Sequence, residues 1–123
     1  MKASIASKPV TRVAWISRHT PLPSQLAALE AHFGPCEIRR DVRPFADAEE
    51  IVRRVRTIGA DECVVVAPLS VLARLVALGM RPLWAEMKQL PSAKGSEVTV
   101  SGRYYRFVRF RRVKALRMEF EDV

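Results

Sequence analysis

Cys63-Val-Val-Val66 runs without a break into Ala67-Pro68-Leu69-Ser70, and this stretch decides the fold. Four consecutive apolar residues show no alternation, so both faces of their strand must be covered, as in the middle of a parallel sheet. The turn then opens a helix carrying Val71, Leu72, Leu75, Val76 and Leu78, closed by Gly79. Nearly every side of that helix is apolar. It is expected to be well buried, with a second subunit a candidate for part of its cover.

Upstream, Asp47-Ala-Glu-Glu50 has the form of a helix start, an N-cap acid with a glutamate three positions on. Ile51, Val55 and Ile58 follow on one face, Arg53, Arg54 and Arg56 fall outside, and Gly59 ends the helix. Cys36 to Arg40 is a short strand with two arginines, which suits a sheet edge. Arg12-Val-Ala-Trp-Ile-Ser17 is a further buried strand, bounded by Lys8-Pro9 and by Arg18-His19-Thr20. Leu22 precedes a proline and is held extended, so Pro23 is the first helical residue. Leu26, Leu29 and Phe33 then recur at helical spacing until Gly34-Pro35.

Downstream, Pro82 to Met87 makes a fourth strand and Pro91-Ser-Ala-Lys-Gly-Ser96 a polar connector. Val98 to Val100, Ser101-Gly102 and Arg103 to Val108 predict a hairpin with a short glycine turn, and Val113 to Phe120 a further strand. Strand and helix alternate three times, which means βαβ units with right-handed crossovers. The expected architecture is α/β: one domain over 1–123, with a minimal Rossmann-like parallel core over 12–87 and a basic antiparallel hairpin extension over 97–123. The expected strand order is 2-1-3-4, with helices on both faces. Ligands bind such sheets outside the C-terminal strand ends, where the order reverses. That rule points to Ser17-Arg18-His19-Thr20 and to Ala67-Pro68-Leu69-Ser70.

Composition agrees with one small domain. The chain has 123 residues, 49% of them hydrophobic, enough for a core and too few for several. Two cysteines, Cys36 and Cys63, in apolar segments rule out a disulfide scaffold and point to a reducing, cytoplasmic setting. Apolar runs fall far short of the roughly 20 residues of a membrane helix, and no signal-peptide pattern follows Lys2 and Lys8. The 21 Lys and Arg against 13 Asp and Glu give +8, unevenly spread. No acid precedes Glu30, and seven bases with no acid lie between Arg103 and Arg117. Such stripes attract polyanions.

The first strand-end loop supplies two hydroxyls, a guanidinium and an imidazole in four consecutive residues. Guanidinium forks match phosphate oxygens, and histidine moves protons near neutral pH. Helix N-termini after the first and third strands favour an anion in the crevice. Pro21 and Pro23 lack N–H groups, so Ser24, Gln25 and the Ser70 end would have to donate. The plainer reading stays open: Ser17, His19 and Thr20 only tie a loop and cap a helix. Trp84 reads first as core or interface, and His32 as a surface residue. The sequence holds no G-x-G-x-x-G, Walker loop, H-E-x-x-H or G-x-S-x-G, no cofactor motif and no metal-ligand spacing.

Trp15-Ile-Ser-Arg-His19, Pro23-Ser-Gln-Leu26, Val65-Val-Ala-Pro68 with Leu72-Ala73, and Gly79 before a strand carry a resemblance. Over residues 12–87 the chain resembles the small CRISPR-associated ring nucleases of type III systems, relatives of the CARF sensor domain. Leu22 departs from the pattern, standing where a capping threonine would fit, and 97–123 has no counterpart. The resemblance implies binding and metal-independent cleavage of cyclic oligoadenylate, cyclic tetra-adenylate foremost, by attack of a ribose 2′-hydroxyl on the adjacent phosphorus. It implies a homodimer holding the symmetric ring across both subunits' loops. By position, Arg18 would stabilise phosphate charge and His19 would be the general acid or base. Ser17, Thr20 and Ser70 would orient the ring, with Gln25, Pro68 and Leu69 beside them. Two other classes stay open. The crevice could sense the nucleotide without cutting it. Alternatively, the Arg103–Arg117 strip, with Tyr104, Tyr105, Phe107 and Phe110 interleaved, could bind single-stranded nucleic acid, RNA included, by stacking and phosphate contact. The plain account of that strip is a hairpin with aromatics inside and arginines outside.

Overall fold

Strand β1 (Thr11–Ile16) buries four consecutive residues and forms the spine of the sheet. The structure, a computed structural model, describes residues 9–123; Lys2 and Lys8 lie outside the described residues. Helix α1 (Pro23–Phe33) follows, then β2 (Cys36–Asp41), α2 (Ala48–Ile58), β3 (Glu62–Val65), α3 (Leu69–Ala77), β4 (Leu83–Leu90), β5 (Val98–Val100) and β6 (Arg103–Arg112). They build one mixed six-stranded sheet in the order β2-β1-β3-β4-β6-β5. The β2-β1-β3-β4 part is parallel, as the strand-helix alternation requires.

Handedness decides where the helices go. The chain steps one way from β1 to β2 and the opposite way from β2 to β3 and from β3 to β4. Right-handed crossovers therefore put α1 on one face and α2 with α3 on the other. The alternation along β1 agrees. Ala14 and Ile16 join Ile51, Val55, Leu72 and Leu75 on the α2–α3 side. Val13 and Trp15 join Leu29, Val64 and Leu83 on the α1 side.

The caps follow from the local chemistry. The Asp47 carboxylate accepts the Glu50 N–H at 2.8 Å, and Gly59 ends α2 in the left-handed region at φ 70°. At α1, Leu22 has no side-chain oxygen to offer. The Gln25 side chain instead reaches back, its Oε1 accepting the Leu22 N–H at 2.8 Å, which is half a capping box. At the β5–β6 turn, Ser101 (φ 50°) and Gly102 (φ 75°) are both left-handed, the arrangement of a two-residue hairpin turn that matches strand twist.

The hairpin extends the sheet through β6, antiparallel to β4. The register slips between Glu86 and Met87: Met87 faces Phe107 and Glu86 faces Arg109, which makes Val108 the extra residue of a bulge. The slip changes phase, so Phe107 and Phe110, three apart, meet on one face with ring centroids 4.8 Å apart. Phe110 then packs edge-on against Trp15 at 6.2 Å. The C-terminal hairpin is part of the α1-side core.

Four expectations change. No strand forms from Val113 to Phe120; the chain leaves the sheet after Arg112. Leu26 faces solvent and Gln25 is buried in its place, because α1 turns its Gln25–Leu29 side to the sheet. Arg54 is not outside: only 12% of its side chain is exposed, and it reaches Asp41, Glu50 and the carbonyls of Arg43 and Pro44. Only Leu72 and Leu75 of α3 are buried, and Leu69 stands exposed.

Candidate functional site

The C-terminal ends of the parallel strands carry two adjoining cavities, of about 330 and 310 Å³. His19 and Val66 border both. His19 therefore stands on the ridge between them, on the β1–α1 loop where the strand order reverses.

The loop is held by its own chemistry. Trp15 Nε1–H donates to the His19 carbonyl at 2.8 Å, and the His19 N–H donates to Ser17 Oγ at 3.0 Å. A buried indole and a buried serine thus fix the backbone, while the Arg18, His19 and Thr20 side chains remain exposed. The structural role foreseen for Ser17 is present: its Oγ holds the His19 backbone.

The first cavity is cationic. Arg18 and Arg43 border it, with Val42, Pro44 and Phe45 as its apolar wall. Arg43 is gripped by Asp41, Nε to Oδ1 at 3.0 Å and Nη2 to Oδ2 at 2.7 Å. These hydrogen bonds, with the charge of Arg43 and Arg54 beside them, outweigh burial and hold the Asp41 carboxyl down to about 2. Among the described residues Arg18 is in no ion pair, so its charge is the uncompensated one at this cavity. A phosphate fits that chemistry.

The second cavity is mainly apolar and aromatic. Both tryptophans of the chain, Trp15 and Trp84, border it with Tyr105, Val98 and Val100. Thr20 and Gln25 add polar groups at its rim. The Gln25 amide is committed, with Oε1 on the Leu22 N–H and Nε2 toward Met87 Sδ at 3.9 Å, so its contribution is positional.

The N-terminus of α1 has little left for an anion. Pro23 has no N–H, and the Gln25 and Leu26 amides are taken by the Leu22 carbonyl at 2.9 and 3.0 Å. The Glu97 carboxylate accepts from Ser24 Oγ and, at 2.7 Å, from the Phe107 N–H, placing a negative charge beside that terminus. The first cavity is the better phosphate seat.

Of the residues singled out from sequence, Ser17, Arg18, His19, Thr20 and Gln25 come together at the cavities. Pro68, Leu69 and Ser70 border neither. Pro68 caps α3 through its carbonyl and the helix turns away, so the β3–α3 connection contributes Val66 and Ala67. The Val42–Phe45 loop and the hairpin wall were not foreseen. The strand-end rule applied to β2 would have pointed to the loop; the sequence marks Tyr105 only as an aromatic of the arginine strip, and nothing local marks Val98.

The arginine strip is only partly neutralised on β6, where two carboxylates face five arginines and Arg103 and Arg106 are in no ion pair among the described residues. Arg109 and Arg111 pair with Glu86, and Arg112 with Glu62. Phe107 is buried under it. Neither thiol is a ready nucleophile: both cysteines are free, and burial pushes Cys63 up to about 12 and raises Cys36. Among the described residues no group of three His, Cys, Asp or Glu is placed to hold a metal ion, and no helix is long and apolar enough to cross a membrane. No family model, curated protein or solved structure matches the chain.

Proposed function

We propose that this protein is a ring nuclease with a CARF-like, Rossmann-type core, which binds cyclic oligoadenylate and cleaves it without a metal. The observation that carries the reading is the position of His19, on a ridge with a cationic cavity on one side and an aromatic cavity on the other. A nucleotide has the same two halves. Its phosphate suits Arg18 and Arg43, and its purine suits the walls of Trp15, Trp84 and Tyr105.

In the reaction the ribose 2′-oxygen attacks the adjacent phosphorus, the P–O5′ bond breaks, and a 2′,3′-cyclic phosphate and a 5′-hydroxyl result. One proton leaves the 2′-hydroxyl and one is delivered to O5′. His19 is the group on the ridge able to move them, and Arg18 stabilises charge on the phosphoryl oxygens. A fixed loop supplies in-line positioning at little entropic cost. A two-fold dimer would bring two such ridges to one symmetric ring.

The test is incubation of the pure protein with cyclic tri-, tetra- and hexa-adenylate in EDTA, followed by product chromatography. Linear products ending in 2′,3′-cyclic phosphate support the reading. Tight binding with no product would make the protein a sensor, and neither binding nor cleavage would remove the reading.

A further inference from the structure

Strands β4 and β6 have two unlike faces. One is covered by α1: Met87, Phe107 and Phe110 lie on it, with Gln25 and Trp15 against them. Ladder partners share a face, so Trp84 with Arg111, Glu86 with Arg109 and Lys88 with Arg106 occupy the opposite one. Helices α2 and α3 sit on that side, but the core they build is with β1 and β3. The β4–β6 half is left open. Trp84 is 43% exposed, and the side chains of Arg109 and Arg111 are 59% and 56% exposed, with residues 113–123 in place.

This open face is cationic by construction. The bulge at Val108 brings Arg106 and Arg109, three apart, to the same side, where a regular strand would send them to opposite sides. Four cations, Lys88, Arg106, Arg109 and Arg111, then share the face with one acid, Glu86. That carboxylate is divided between Arg109 and Arg111. Lys88 and Arg106 stand directly opposite each other, and neither is in an ion pair among the described residues. Like charges so placed cost stability within the fold. An anion from outside removes that cost.

The face is also aromatic at both ends. Trp84 lies opposite Arg111, and Tyr104 lies opposite Leu90, six strand positions farther along β4 or about 20 Å. A flat sheet with aromatic rings among its cations suits a single strand, whose bases are free to stack and whose phosphates repeat. A duplex keeps its bases stacked on one another and away from those rings.

We propose that the open face of β4 and β6 binds single-stranded nucleic acid, with phosphates on Lys88, Arg106, Arg109 and Arg111 and bases on Tyr104 and Trp84. Apart from Trp84, none of these residues borders either cavity, and the inference does not rest on ring cleavage.

The experiment is fluorescence anisotropy of the full chain with a labelled oligouridylate of about twelve nucleotides, between about 50 and 200 mM salt. Three to four neutralised phosphates predict a slope of log affinity against log salt of about −2 to −3. Lys88→Ala/Arg106→Ala should flatten that slope by about 1.4 and weaken binding about tenfold or more at the lowest salt, without lowering the melting temperature. Tyr104→Val, which keeps a good strand former and removes the ring, should weaken binding about fivefold or more. No binding at the lowest salt overturns the inference. Equal binding of a duplex of the same length, or indifference to Tyr104→Val, would mark a generic polyanion surface and overturns it too. So does binding that ignores Lys88 and Arg106 but is lost in Arg18→Ala, which would put the strand in the strand-end cavity.

Discussion

Asp41→Asn isolates the electrostatics that hold the cationic cavity together. In the protein the carboxylate accepts two hydrogen bonds from the Arg43 guanidinium and one from the Arg43 N–H, with Arg54 3.7 Å away. These contacts lower its pKa from the ordinary 3.8 to about 2. A displacement of that size corresponds to about 2 kcal/mol at neutral pH if carried in full. Arg43 is 70% exposed on its side chain, and solvent screening reduces the expected figure to about 1 kcal/mol. The sign follows from the direction. A carboxyl with a depressed folded pKa contributes stability above its unfolded value and loses it as pH falls from there through the folded value. Urea unfolding at pH 7 should therefore show Asp41→Asn less stable by about 1 kcal/mol. The two stabilities should converge as pH falls through the range from 3.8 to about 2. A gap that stays constant between pH 7 and the acid end would show that the loss is packing rather than charge, and would refute the reasoning.

Other expectations follow from single contacts. Trp15→Phe removes the Nε1–H donor to the His19 carbonyl and should cost about 1–2 kcal/mol in urea unfolding; with the loop less fixed, single-turnover cleavage should slow more than ring binding weakens. Ser101→Asn should raise the melting temperature, since asparagine tolerates the left-handed backbone at φ 50° better than serine. Arg109→Gln/Arg111→Gln removes both partners of Glu86, and none of these three side chains borders a cavity, so ring turnover should hold within a factor of about three; a loss above about tenfold would place the strip in the site.

Much of the fold is legible in short stretches because each is decided by local physics. Cys63 to Val65 has no polar alternation and is central, whereas Val66, read as part of the same strand, lies past its end and is half exposed; Asp47 and Glu50 announce a helix start; Ser101-Gly102 can supply two left-handed residues. With those elements known, handedness and the strand order place His19 at the reversal point. What stayed hidden depends on distant partners. Gln25 rather than Leu26 is buried because α1 is rotated by the need to tie Leu22 and to meet Met87. Arg54 is drawn inward by Asp41, a residue from another element. The bulge at Val108, which turns Phe107 and Phe110 to the same side, has no local signature and is seen only in the pairing of β4 with β6. The hairpin's role as a wall of the aromatic cavity follows from that pairing. The terminal alternation from Leu116 to Phe120 reads as a strand, yet it joins no ladder of the sheet.

The central claim is that the ridge residue transfers protons while its arginine neighbour binds phosphate. Single-turnover cleavage of cyclic tetra-adenylate beside equilibrium binding, on His19→Ala and Arg18→Ala first checked for unchanged melting temperature, tests it directly. His19→Ala should bind the ring nearly as the parent does and cleave it about 10²–10⁴-fold more slowly, the usual contribution of a positioned acid or base. Arg18→Ala should lose both binding and rate, because its charge faces phosphate in the ground state too. Cleavage by His19→Ala at the parent rate would contradict histidine catalysis, and two variants that bind and cleave normally would contradict the site itself.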